Sequence, residues 1–238
     1  MKKILLVFIL CGCTTTQINQ AISDANKAIG GEKALTADEV TQGLKDALIQ
    51  GISKGSDQVS LMDGYFKNPS IKILFPPDVQ KVETKLRQIG LGNEVDKFVM
   101  TLNRSAEEAA KEAKPVFISA IRSMTIQDAW AILRGDQNSA TEYLKKTTTV
   151  QLTTAFSPIV EKALNTTNAT KYYTDLVNAY NKIPFIEKVN PDLEEYATQK
   201  AIEGLFFVVA QEEKNIRDNP GARTTDLLKR VFDPKNYK

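Results

Sequence analysis

The chain contains no histidine, only two cysteines and one tryptophan. Nor does it contain an apolar run of the ~20 residues that a helix needs to cross a bilayer core. Without imidazole there is no Ser-His-Asp triad, no histidine general base and no histidine-ligated zinc or iron. Cys11 and Cys13 both lie near the start, so the remaining chain offers neither a thiol nucleophile nor a disulfide. The chemistry left is that of carboxylates, Lys, Tyr and Arg. A strong charge of one sign is missing as well: 31 basic residues face 29 acidic ones. No global field attracts nucleic acid, and no nucleic-acid partner is expected. P-loop, EF-hand, C-x-x-C and H-E-x-x-H patterns are absent, so neither a metal nor a cofactor is expected.

What is present begins with Lys2 and Lys3, then the apolar run Ile4 to Leu10, then Cys11-Gly12-Cys13. A basic start followed by a short apolar stretch has the form of an export signal. Leu10-Cys11-Gly12-Cys13 resembles the lipobox of bacterial lipoproteins. The resemblance implies lipid on the Cys13 thiol, cleavage after Gly12 and membrane attachment through two or three acyl chains, a stable anchor. Lys2 and Lys3 are the only charges in residues 1–12, so the mature chain would carry acidic and basic residues in equal number. Thr14, rather than Asp, follows the cysteine. That points to the periplasm, and to the inner leaflet of the outer membrane rather than the inner membrane. The expected organisation is a cleaved signal over 1–12, a lipidated cysteine and tether over 13–34, a helical domain over 35–233 and a tail over 234–238.

From Leu35 onward the apolar residues recur at helical spacing. Thr36 and Glu39 form a capping box for a helix that turns Val40, Leu44, Ala47, Leu48 and Ile52 to one face. Pro77 suits the first turn of a second helix with Val79, Val82, Leu86 and Ile89 inward and Gly90 as its stop. A third carries Val95, Phe98, Val99 and Leu102 to Ala113. Pro115 starts a fourth with Phe117, Ile121 and Met124. Thr125 with Asp128 reads as a further helix start, with Gly135 ending that short element, and Ser139 with Glu142 reads as another capping box. Pro158 is expected to kink or split the stretch from Ala140 to Leu164. Tyr172, Leu176, Val177 and Tyr180 mark the next helix. Asn190-Pro191 opens the longest, which runs to about Ile216, and Thr225 to Phe232 closes the chain. The fold class is all-α, a single bundle-like domain, with at most one small two-stranded ribbon pairing Ile71–Phe75 with Ile183–Val189.

Several motifs carry bland readings. Gly51-Ile52-Ser53-Lys54-Gly55 matches the G-x-S-x-G elbow, yet lies in a helical pattern without a histidine partner, and reads as a helix followed by its C-cap. The adjacent carboxylates Glu107-Glu108, Glu194-Glu195 and Glu212-Glu213 point ~100° apart on a helix and read as solvated faces. Trp130 and the tyrosines read as packing residues.

Three stretches carry a resemblance. They are Asp63-Gly64-Tyr65-Phe66-Lys67-Asn68-Pro69-Ser70-Ile71-Lys72-Ile73, then Ile89-Gly90-Leu91-Gly92 with Asn103-Arg104, and Asn219-Pro220-Gly221-Ala222-Arg223-Thr224-Thr225-Asp226-Leu227-Leu228-Lys229. Together they resemble a bacterial family catalogued as domain of unknown function 4197, from about Leu35 to Phe232. The family pattern has a proline soon after Ile-Lys-Ile, where this chain places Leu74-Phe75 before Pro76. The resemblance implies an exported, mostly helical protein and supplies no reaction, substrate or catalytic residue.

The candidate site follows from the first and last of these stretches. Met62 to Pro77 is a long connection, and such loops often carry function. It sets Asp63, Tyr65, Asn68 and Lys72 beside apolar residues; the plainer alternative is that Tyr65, Phe66, Ile71 and Ile73 plug one end of the bundle. Arg217, Arg223 and Asp226 mark the other stretch, where Asn219-Pro220 would cap the final helix and Arg223 would pair with an acidic neighbour. The two stretches are expected to meet at the rim of the main cleft, with the arginines facing a carboxylate or phosphate. Two function classes stay open. One is a non-catalytic lipoprotein that binds an envelope protein or a small apolar or anionic ligand. The other is a histidine-independent hydrolase using carboxylate, Tyr or Lys chemistry, which a deep pocket of such groups would favour over a smooth apolar groove.

Overall fold

The structure, a computed structural model, describes residues 35–182, 184–185, 188–190, 192–233 and 235. By contacts the chain divides into two units, Met1–Thr36 and Ala37–Lys238. Cys13 and the expected signal and tether lie outside the described residues. The second unit is all-α, and among the described residues it contains no strand. Its helices are α1 Ala37–Ser60, α2 Gln80–Gln88, α3 Gly92–Ala109, α4 Ala113–Arg122, α5 Ile126–Arg134, α6 Ser139–Thr166, α7 Ala169–Tyr180, α8 Leu193–Asp218 and α9 Asp226–Val231. Short 3-10 turns at Pro77–Val79, Ala110–Glu112 and Pro220–Ala222 join some of them. None of the described helices is long and apolar enough to cross a membrane.

The long helix α8 packs on both α1 and α6, and α3 lies across α6. Around that frame α4, α5 and α9 cover α1, α2 covers α3, and α7 leans on α6 and α8. On α1 the expected face is buried: Val40, Leu44, Ala47, Leu48 and Ile52, joined by Val59. Glycines on that helix let its neighbours approach. A Cβ on Gly51 would stand 2.9 Å from Ile216 Cδ1, and one on Gly55 3.2 Å from Val208 Cγ1. Gly51 to Gly55 therefore lies mid-helix against α8 and is not the C-cap that the sequence suggested; α1 runs on to Ser60.

Other expectations change for local reasons. Ile89 follows the end of α2, leaves the helical phase and is 70% exposed, while Val79 is buried. Gly90, with φ of 90°, does stop that helix. On α6, Leu144, Leu152, Phe156, Val160 and Leu164 are buried, and the helix stays continuous through Pro158 rather than splitting. Pro158 and Thr154 are both exposed, so the carbonyl that loses its amide partner faces water. Among the described side chains of α7, Ala169, Tyr173 and Val177 are buried, whereas Tyr172 is exposed. Helix α8 starts at Leu193, with Asp192 as its N-cap accepting from the Glu195 N–H. Helix α5 starts where expected, and Thr125 with Asp128 forms its capping box; the Thr225 side chain caps α9. Asn219 caps only the short turn that follows α8. Ile71 to Phe75 is irregular by hydrogen bonding. The expected ribbon thus lacks its first strand, and part of its second segment lies outside the described residues.

Candidate functional site

Beyond α1 the chain folds back over α3 and α8, and the connection from Leu61 to Pro76 is held by side chains of both. Asp63 adopts φ of 71°, a left-handed turn that Asp tolerates. Gly64 follows because any Cβ there would meet the Val59 carbonyl oxygen at 2.5 Å. The turn sends Tyr65 inward, fully buried, and its hydroxyl donates to the Ala201 carbonyl on α8 at 2.6 Å. Gly204 makes room: a Cβ there would stand 2.7 Å from Tyr65 Cε1. Burial, with the Glu107 charge nearby, raises the Tyr65 phenol well above its ordinary value and keeps it a donor.

On α3, Glu107 is 4% exposed. Its Oε1 accepts the backbone N–H groups of Tyr65 and Phe66, each at 3.1 Å. Arg104 bridges the Glu107 and Asp63 carboxylates, at 2.6 Å each. Lys67 adds a second cation to Asp63 at 2.8 Å. Lys67 and Arg104 together hold the Asp63 carboxyl below the usual range, and Glu107 and Asp63 raise Arg104. The Phe66 ring lies beneath Lys72, 4.3 Å from Nζ, and within 5.5 Å of the Arg104 guanidinium. Asn68 shapes the next turn, its side chain accepting the Ser70 N–H and its carbonyl the Lys72 N–H. One turn up α3, buried Asn103 accepts the Ile73 N–H at 2.9 Å and donates to the Ile73 and Val99 carbonyls.

The C-terminal stretch builds a different cluster. Glu213 on α8 is 5% exposed and caps α6 from outside. It accepts the N–H groups of Ala140 and Thr141, at 2.9 and 2.8 Å, and the Thr141 hydroxyl. These bonds replace the capping box expected of Ser139 and Glu142, and Glu142 pairs with Lys145 instead. Arg217 pairs with Glu213 at 2.9 Å and donates to the Ile132 carbonyl. Among the described residues Arg223 has no acidic partner; it donates to the carbonyls of Ile216 and Arg217, closing the end of α8, and faces the Phe232 ring. Asp226 is exposed in the first turn of α9, and the Lys229 ammonium beside it lowers its carboxyl.

The two stretches therefore do not meet. Gly204, against which Tyr65 packs, and Arg217 are 13 positions apart on α8, about 20 Å along its axis. The solvated-face reading also fails for one member of two carboxylate pairs. Glu107 and Glu213 are buried acceptors, while Glu108 stays exposed. Asn103, Arg104 and Glu107 are the residues that sequence reasoning did not assign to the site. The available signal was their spacing, since positions 103, 104 and 107 lie close together on one side of a helix.

Two concavities are open to solvent near these elements. One, of about 690 Å³, lies between α5 and α6, lined by Asp128, Asp136, Asn138, Ser139, Glu142 and Tyr143 among others. Neither stretch reaches it. The other, about 390 Å³, runs between residues 70–77 and α8, where Tyr196, Lys200, Glu203 and Phe207 line it. Leu74 and Phe207, 52% and 43% exposed, make its walls apolar. Ser70 to Lys72 brings the first stretch to this groove, whereas Asp63, Tyr65 and Asn68 do not line it. Among the described residues no group of three Asp, Glu or Cys is placed to hold a metal.

A family model described as protein of unknown function (DUF4197) matches residues 34–233. No curated protein and no solved structure matches the chain.

Proposed function

The chain belongs to that family of unknown function, and on this premise we propose that it is a non-catalytic envelope lipoprotein whose helical domain binds a partner at the groove between residues 70–77 and α8. The observation that carries this reading is the pair of exposed apolar side chains, Leu74 and Phe207, in the walls of one groove. Large apolar groups held on a concave surface gain by being covered. The charged groups nearby favour this reading over hydrolysis. Asp63, Arg104 and Glu107 are spent on one another and on backbone amides, and the Tyr65 hydroxyl is buried against a carbonyl. None of these four lines either of the two concavities described above. The lipobox resemblance at Cys13 supports attachment to a membrane, and Thr14 after it supports the periplasmic face of the outer membrane. The tether over 13–34 would let the domain reach into the periplasm.

Photo-crosslinking in intact cells tests the binding face. A crosslinking amino acid placed at Leu74 and, separately, at Phe207 is expected to capture one and the same protein. The same group at Val150, exposed on α6, is expected not to. Capture that is equal at all three positions, or absent from the groove positions alone, would overturn the reading.

A further inference from the structure

The groove is bordered by an extended segment that has no neighbouring strand among the described residues. Ile71, Ile73 and Phe75 are buried, Lys72 is half-buried and Leu74 exposed, the period-two alternation of a strand. One edge is closed by a side chain. Asn103 accepts the Ile73 N–H and donates to the Ile73 carbonyl, at 2.9 and 2.8 Å, the two bonds that a paired strand would supply. In an extended chain, successive residues turn their N–H and C=O groups to opposite edges. Lys72 and Leu74 thus present theirs on the edge away from Asn103, where the Tyr196 hydroxyl of α8 donates to the Leu74 carbonyl at 3.1 Å. Among the described residues nothing bonds the Lys72 carbonyl or the Leu74 N–H. An acceptor and a donor two residues apart on one edge match what a single residue of a parallel added strand requires. Its N–H would reach the first and its carbonyl the second.

We propose that this edge receives an extended peptide of a partner protein by strand addition, parallel to residues 71–75, with an acidic side chain of the peptide facing Lys72. The inference rests on the groove being the binding face. An unpaired edge is a template for another chain, with main-chain bonds giving affinity and flanking side chains giving selectivity. Charge selects the acidic residue. In the groove Lys200 is paired with Glu203, while Lys72 stands over Phe66 with no carboxylate partner among the described residues. Among the described residues the groove therefore keeps one uncompensated positive charge. Leu74 and Phe207 offer apolar contact to the peptide side chain two residues on, which shares that face of the strand.

A phage-displayed library of random linear peptides, panned on the full chain in detergent, tests this. Enriched sequences are expected to alternate apolar and polar residues and to contain Asp or Glu. A synthetic copy of an enriched peptide should slow exchange of the Leu74 amide proton roughly tenfold or more, as a new hydrogen bond does. The Ile73 amide, already bonded to Asn103, should change little. Lys72→Glu should weaken binding about tenfold and Phe207→Asp should abolish it, with the helical circular dichroism unchanged in both variants. A peptide that needs Phe207 but leaves the Leu74 amide unprotected overturns strand addition and leaves the groove as the binding face. Peptides indifferent to Phe207→Asp, or no enrichment at all, overturn both.

Discussion

Asn103 of α3 holds Ile73 by both its peptide groups, accepting the N–H at 2.9 Å and donating to the carbonyl at 2.8 Å. A single buried amide thus fixes the direction of the segment that walls the groove. Asn103→Ala would leave both Ile73 groups buried without a partner, a loss of about 3 kcal/mol in urea unfolding. The variant is also expected to speed amide exchange across residues 70–76 before that of α6. A loss below about 1 kcal/mol would mean that water replaces the amide.

The close approach of Tyr65 to α8 makes a second prediction. Gly204→Ala places a Cβ 2.7 Å from Tyr65 Cε1 and 3.1 Å from Ile71 Cβ. Neither atom can yield, because the Tyr65 hydroxyl is bonded to Ala201 and Ile71 is buried. The substitution should cost about 1–3 kcal/mol although Ala is the better helix former by ~1 kcal/mol. Gly51→Ala meets the terminal Cδ1 of Ile216 at 2.9 Å and Glu212 Cβ only in ordinary contact at 3.6 Å, and should change stability by less than about 1 kcal/mol. Equal thermal shifts for the two variants would contradict this account.

Glu213 couples two helices and one arginine. Glu213→Ala removes the acceptor for the first amides of α6 and strands the Arg217 guanidinium, whose side chain is 13% exposed. The expected loss is about 3–5 kcal/mol. The double variant with Arg217→Met should recover part of it, since the unpaired charge is then gone. Additive losses in the double-mutant cycle would refute the coupling.

Acid should loosen the connection after α1. Lys67 and Arg104 depress the Asp63 carboxyl in the folded chain. Its contribution to stability is therefore fully present above the ordinary Asp value of about 3.9 and is lost as pH falls through the lower folded value. The difference in thermal midpoint between wild type and Asp63→Asn should be constant from neutral pH to about 5 and should shrink below about 4. A difference that stays the same at acid pH would show that the charge of Asp63 contributes nothing.

Membrane attachment has its own test. Cells given labelled palmitate should incorporate it into the wild-type chain and not into Cys13→Ala, which should also fail to leave a signal-cleaved, membrane-bound form. Equal labelling of the two would remove the anchor from the proposed function.

Local information in the chain was enough for most of the helices. The spacing of Val40, Leu44, Ala47, Leu48 and Ile52 on α1 needs only 3.6 residues per turn to become a buried face. The caps at Thr125 and Thr225 act on amides three residues away, so the sequence alone determined them, along with the helix stop at Gly90 and the family resemblance. What only the tertiary structure decided are the bonds that cross the fold. Glu213 caps α6 from 73 residues away, and Glu107 serves the Tyr65 amide from 42. In the sequence each is one of two adjacent glutamates, and nothing local distinguishes the buried one from its more accessible neighbour. That choice depends on which side of the helix another element covers. The same reason placed Asp63 to Lys72 with Asn103, Arg104 and Glu107, and left Arg217 to Asp226 at the far end of α8. Residue types show which groups can bond, but the packing of α1, α3, α6 and α8 determines which of them come within reach.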